Sequence, residues 1–384
     1  MKLTTNRQDL ITALTSIKIE SDLNSNDGLY KQSHLLIQTN GDGIELTTTD
    51  SEITIQTTVN CAVTEDGKVV VLGNHMTEII DKLPKEALVD ISSSNERDVL
   101  KISCPQGVYN LRTFPLTDFP VIPTLHGSTL SIEDQSLHSL INKTAFAVDE
   151  NAVDKGIHGL LFNIQKNKSE IAATNGSVVF SLAEFKSKSS LENYSFFLPK
   201  KSAQNIIEHI SDTSDVTIFM DADKDMNTKK NNLSYIQVND DNTKLTSKVF
   251  GGGNYPDYQH LLRQETSAGI KIHRTRLIDG LKRVSVLSNP KLYRVKLSIQ
   301  PDKLILSSET DNIGNAFEEI DIEHIGDRID IDIYLNANYL IEGLSHMNDE
   351  AVKMEYSTNL MPVIFNSITK ENHVFVISPM KYME

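Results

Sequence analysis

One pattern constrains this chain more than any other: a helix, a polar break and a strand, written three times. Residues 199–221, PKKSAQNIIEHISDTSDVTIFMD, state it most clearly. Ile206, Ile207 and Ile210 share one face of a helix, and Pro199 stands where a first-turn proline is tolerated. After the break, Val216, Ile218 and Met220 alternate with Thr217 and Phe219, the period of a strand. Residues 73–94 and 335–357 repeat the pattern, with Ile79 and Leu340 in the register of Ile206 and at near-even spacing. Such a chain is three copies of one domain, and 384 residues give each copy enough length for its own core.

The repeat extends beyond this unit. A further helical segment opens each third, at 7–17 (Leu10, Leu14, Ile17), 135–148 (Leu137, Ile141, Thr144) and 274–287 (Leu277, Leu281, Val284). Paired strands joined by turn chemistry follow, at 34–50, 159–176 and 293–311. The first two thirds close on similar phrases, 116–123 and 251–262, and the last on 376–384. Polar, glycine-containing connectors at 124–129 and 264–269 separate them. The expected fold is α+β, with three tandem domains at 1–125, 126–264 and 265–384. Each carries two helices packed on antiparallel sheets. Residues 221–232, rich in charge, read as a long solvated hairpin loop.

The N-terminal residues have no apolar signal-peptide core, and the longest apolar runs, such as 69–72, are strand-sized, so a cytoplasmic protein with no membrane partner is expected. Two cysteines, Cys61 and Cys104, form no CxxC and read as buried thiols in a reducing compartment. The net charge of −15, taken alone, argues against a protein that grips nucleic acid by neutralising phosphates.

No motif supports catalysis, and no metal or cofactor is expected. Asp221, Asp223 and Asp225 alternate like the start of a calcium loop. Met226 replaces the glycine of its turn, however, and Asn232 the bidentate glutamate. The glycine run 251–253 lacks the rest of a phosphate cradle. Ser288-Asn289-Pro290-Lys291 spells Ser-x-x-Lys, but its proline breaks the helix such a pair rides on. Basic residues recur on the candidate helices.

The phrases TDFP (117–120), HGLLF (158–162), ATNG (173–176), LPKK (198–201), YPDY (255–258), VLSN (286–289), NANY (336–339) and SPMK (378–381) occur in this order across the threefold repeat. In that order they resemble the bacterial DNA polymerase III beta subunit, the beta sliding clamp family. The resemblance implies a non-catalytic processivity factor for DNA replication. Its head-to-tail homodimeric ring would surround double-stranded DNA without reading sequence, helices inward and sheets outward. It would tether DNA polymerase and bind clamp loader subunits.

Edge strands would pair across the interface through Val108, Tyr109 and Leu111 on one side and Val286 and Leu287 on the other. DNA-facing charge would come from Arg7, Lys82, Lys143, Lys200, Lys201, Arg276, Lys282 and Arg283. A partner-peptide pocket between the second and third domains would include Ile157, Thr174, Gly176, Val178, Val179, Pro256, Asn336 and Tyr339. Leu360, Val363, Val376, Ile377, Ser378, Pro379 and Met380 would complete it.

Departures from the family pattern bear on this pocket. Ser177 and Val178 stand where a polar and then a basic residue are usual, His260 replaces a frequent arginine, and Ser378 a common methionine. The loop 22–28 lacks a basic, proline-containing segment, and Lys155 and Gly156 stand where aromatic residues can contact DNA. The alternative reading is a divergent clamp-like scaffold that binds partner peptides without encircling DNA.

Overall fold

The computed structural model describes residues 1–18, 34–94, 98–122, 125, 128–149, 158–166, 168–189, 193–212, 217–223, 232–240, 242–251, 255–262, 268–311, 313–369 and 373–381. Their helices are α1 (Arg7–Ser16), α2 (Gly73–Lys82), α3 (Leu137–Thr144), α4 (Lys200–His209), α5 (Gln259–Leu262), α6 (Arg274–Ser285) and α7 (Ala337–Ser345). Polar N-caps start several of them. The Asn6 carboxamide accepts from Gln8 N, the Ser136 hydroxyl from Ser139 N, and the Asn336 carboxamide from Tyr339 N. The longer helices turn apolar residues inward, as Leu277, Leu281 and Val284 do on α6. Among the described residues no helix is long and apolar enough to cross a membrane.

The chain forms two compact units, Met1–Ser131 with Gln204–Val249, and Ile132–Ala203 with Phe250–Glu384. In the first unit a five-stranded sheet runs in the order Ala62–Glu65, Lys2–Asn6, Leu88–Ser94, Val99–Cys104, Gly107–Arg112. A second antiparallel sheet carries Ser128–Ile132, Thr217–Asp223, Asn232–Asn239 and Thr243–Lys248. It continues without a break into Ile53–Asn60, Gly43–Thr49, His34–Asn40 and Lys68–Leu72. The seam between the first and middle thirds is a full ladder from Thr243↔Thr57 to Ser247↔Ile53.

The second unit repeats this construction. Its ten-stranded sheet holds Tyr194–Pro199, Gly159–Ile164, Ser169–Thr174 and Val179–Phe185 from the middle third. The sheet passes through the ladder Val179↔Ile377 to Ala183↔His373 into His373–Ile377, Val363–Ser367, Ala351–Tyr356 and Ala268–His273 of the last third. A four-stranded sheet, Gly314–Asp321, Lys303–Thr310, Arg294–Ile299, Ile331–Asn336, packs against α6.

Two expectations need correction. A short strand precedes the first helix of each third: Lys2–Asn6, Ser128–Ile132 and Ala268–His273. The last two start inside what read as connectors, because Leu130 with Ile132, and Ile270 with Ile272, set a strand period straight after the polar turn. The hairpin loop read at 221–232 is shorter at both ends, since Asp223 pairs with Asn232; residues 224–231 lie outside the described ones. The strands of the middle repeat are shared between two sheets.

Candidate partner-binding pocket and surfaces

The pocket is built on a tight turn in the second unit. Ser169–Thr174 leads into 175–178 and then Val179–Phe185. The Asn175 carboxamide oxygen accepts from Val178 N and Val179 N, both at 2.9 Å. The Thr174 hydroxyl donates to Val179 O at 2.7 Å and accepts from Gly176 N at 3.0 Å. Gly176 sits at φ +86°, where a side chain would be strained. Ser378 N donates to Val178 O at 2.8 Å, so the chain after His373–Ile377 runs alongside this turn.

Segment 255–262 covers the other side. Phe180 stacks on Tyr258 at 5.2 Å, Tyr255 packs on Phe197 at 5.4 Å, and the two tyrosines meet edge-on at 5.9 Å. These rings belong to one apolar cluster with Leu161, Leu182, Ile364 and Val376. Tyr258 donates its hydroxyl to the Glu170 carboxylate, which also accepts from Asn163 Nδ2 at 2.9 Å. Burial and the neighbouring Glu170 raise the Tyr258 hydroxyl, and burial raises that of Tyr255. The enclosed space is about 180 Å³. That is below the usual range for a drug-sized ligand, and it suits one or two apolar side chains.

Thr174, Gly176, Val178, Val179, Pro256, Val376 and Ser378 line this space together. Ser177 and His260, read from sequence as departures at its rim, also line it; sequence reasoning did not assign Phe180, Tyr255, Asp257, Tyr258 or Leu261 to it. The YPDY phrase was the signal that could have added the tyrosines, because a proline turn between aromatics turns both rings to one side.

The other described residues read as pocket are not among those lining this space. Val363 and Ile377 are fully buried and pair with each other in the sheet behind. Asn336 caps α7 and donates Nδ2 to Leu292 O at 2.9 Å. Pro379 and Met380 are half-buried, with Met380 N donating to Tyr334 O at 2.8 Å. Tyr339 and Leu360 are exposed on the first turn of α7 and on a turn between strands. Ile157 lies outside the described residues.

Residues 1–123, 131–257 and 259–381 match, in turn, the models of the N-terminal, central and C-terminal domains of the DNA polymerase III beta subunit. The chain belongs to the DNA polymerase III beta subunit family. The beta sliding clamp of Chlamydia pneumoniae is 26% identical over 99% of both chains. That of Pseudomonas putida is 23% identical over 91% of this chain and 92% of its own. The crystal structure of the DNA polymerase III subunit beta from Pseudomonas aeruginosa shares the fold with a TM-score of 0.88, at 21% identity over 100% of both chains. The Thermotoga maritima beta subunit does so with 0.83, again at 21% over 100% of both.

Of the cations that family membership suggested for a DNA-facing surface, several already bond within the chain. Arg7 is buried. It donates Nε to Ile80 O at 3.0 Å and Nη2 to Asp81 O at 2.5 Å, and ion-pairs with the Asp81 carboxylate at 3.1 Å. These are the orphan carbonyls at the end of α2, which a guanidinium satisfies. Lys143 is 3% exposed, with Nζ donating to Gln135 Oε1 at 2.7 Å. Arg283 is exposed but forms a fork with Glu318, at 2.9 and 2.5 Å, which raises the arginine and lowers the glutamate. Lys82, Arg276 and Lys282 are exposed. Lys200 and Lys201 are half-buried at the start of α4, and Lys200 Nζ donates to Val148 O at 3.2 Å.

The first unit ends one sheet on the strand Gly107–Arg112. There Val108 is 55% and Tyr109 37% exposed, and Leu111 is half-buried. The second unit ends its four-stranded sheet on Gly314–Asp321, with Phe317 74% exposed. Val286, 73% exposed, and half-buried Leu287 follow α6, which packs against that strand. Phe317 was missed, because an alternating strand GNAFEEID reads as an ordinary solvated face.

One nucleophile-base pair is present, Ser181 Oγ and His373 Nε2 at 3.0 Å. Both residues are buried, at 0% and 2% exposure, and burial and nearby Lys143 hold the imidazole down to about 3. No substrate reaches such a pair, so it is core.

Proposed function

We propose that this chain is a sliding clamp for DNA replication, a non-catalytic processivity factor of the cytoplasm. Two copies close head-to-tail into a ring around duplex DNA, each contributing three repeats with boundaries near 125 and 264. Polymerase and clamp loader subunits dock by a short peptide in the pocket at Thr174, Val179 and Pro256. A ring held by topology needs no tight grip on phosphates, which suits a net charge of −15. Tethering raises the polymerase's effective concentration at the primer end.

The observation that carries this reading is a pair of sheet edges, Gly107–Arg112 and Gly314–Asp321, that carry exposed apolar side chains. An unpaired strand with exposed apolar side chains invites another chain. The two units offer two different edges, which is what a head-to-tail closed dimer needs. Lys82, Lys200, Lys201, Arg276 and Lys282 remain the candidates for sequence-independent phosphate contact.

The test is topological. Protein loaded onto nicked circular DNA by a clamp loader is expected to survive a salt wash on circles and to be lost after linearisation. Release from circles at the same salt as from linear DNA overturns the reading.

A further inference from the structure

We propose that the pocket selects peptides in which a cationic residue flanks the apolar anchors, with Asp257 as its counter-charge, and disfavours an acidic flank. The proposal rests on reading this pocket as the partner-peptide site. The space admits one or two apolar side chains, so the rim chooses among peptides that share an anchor.

Among the described lining residues Asp257 carries the one full charge, and none is lysine or arginine. The Asp257 side chain is exposed, and its Oδ1 accepts from Gln259 N at 3.0 Å. That bond fixes the carboxylate at the start of α5, so little ordering is needed when a cation arrives. Behind the wall, Tyr258 passes its hydroxyl to the carboxylate of Glu170, which is 9% exposed. A second negative charge thus lies under the pocket, where partial burial screens it less than bulk water would. On the turn side the rim is Ser177 and Val178, which bring no positive charge. His260 is the single lining side chain able to become cationic. An acidic residue at the mouth would meet the Asp257 carboxylate and, among the described lining residues, no lysine or arginine.

The experiment is a fluorescence-anisotropy titration of the full chain with three labelled eight-residue peptides. They share a Leu-Phe anchor and differ in one flanking residue, Lys, Gln or Glu. Lys is expected to bind about fivefold more tightly than Glu at low salt, the scale of one solvent-exposed ion pair, with Gln between. The spread should collapse at about 0.5 M salt. Asp257→Asn keeps the oxygen that accepts from Gln259 N and removes the charge, so it should abolish the preference for Lys over Gln while retaining anchor binding.

Equal affinity for the three peptides, or tighter binding of Glu, overturns the charge preference while the pocket reading stands. A spread that survives Asp257→Asn overturns the role of that carboxylate. Failure of all three to bind overturns the pocket reading and this inference with it.

Discussion

His373 shows what a single buried side chain does to this protein. Burial, reinforced by Lys143, holds its imidazole at about 3 in the folded chain. Unfolded, it titrates near 6.5. Between those values the unfolded chain binds a proton that the folded chain refuses. Stability therefore falls as pH drops below about 6.5, by up to about 1.4 kcal/mol per unit. His209 and His346, both lowered by burial, act in the same direction. The urea midpoint is expected to fall on going from pH 7.5 to 5.5, and His373→Gln should reduce that fall by about one proton's worth. An unchanged slope would mean that His373 binds its proton in the fold. Tyr255 is the other residue with a cost built in. Its hydroxyl is sealed and has no partner among the described residues. Tyr255→Phe is expected to raise stability by about 1 kcal/mol, since an orphaned donor disappears. Equilibrium unfolding in urea measures it. Nothing in the string YPDY distinguishes a satisfied tyrosine from an orphaned one, because the neighbours that decide it are distant in sequence.

At the scale of elements, two arginines perform one task in two repeats. Arg7 opens α1 and closes the end of α2 through Ile80 O and Asp81 O. Arg274 opens α6, donates Nη1 to Leu344 O at 3.2 Å near the end of α7, and donates Nε to Asp349 O just beyond it at 2.7 Å. Even the backbone repeats, with Arg7 N donating to Ala87 O and Arg274 N to Glu350 O. The helix pairs α1/α2 and α6/α7 are thus tied by a guanidinium fork across the start of one and the end of the other. Arg274→Ala is expected to cost about 2 kcal/mol, read from the urea midpoint. Arg274→Lys should recover only part, since an ammonium cannot copy the planar fork. A residue such as Arg7 at a helix start reads equally well as a phosphate contact. Helix existence and pairing were legible from Leu10, Leu14 and their counterparts; the partner of each arginine was not.

At the scale of the whole molecule, the proposed ring turns on the edge strands. Phe317 lies 74% exposed in the middle of one edge, and Val108 55% exposed on the other. Phe317→Lys, which puts a charge on an apolar edge, is expected to move the mass in sedimentation from about twice the chain mass towards the monomer's 42.9 kDa. An unchanged mass would take that edge out of the interface. Topological retention on circular DNA should fail in the same variant.

The sequence by itself determined the threefold plan. Helix and strand periods are local, and Ile79, Ile206 and Leu340 mark them three times over. Ordered short phrases tied that plan to a family, and the pocket followed from that resemblance through phrases such as ATNG at 173–176. Tertiary structure alone decided how the repeats join. The ladders at Thr243↔Thr57 and Val179↔Ile377 join one repeat to the next, so each compact unit draws strands from two repeats. It also decided which cations are spent inside the protein, and that Tyr258 and Asp257 share a wall with Val376. The reason is physical: pairing across a sheet, burial and charge neutralisation depend on residues far apart in the chain, and periodicity carries no record of them.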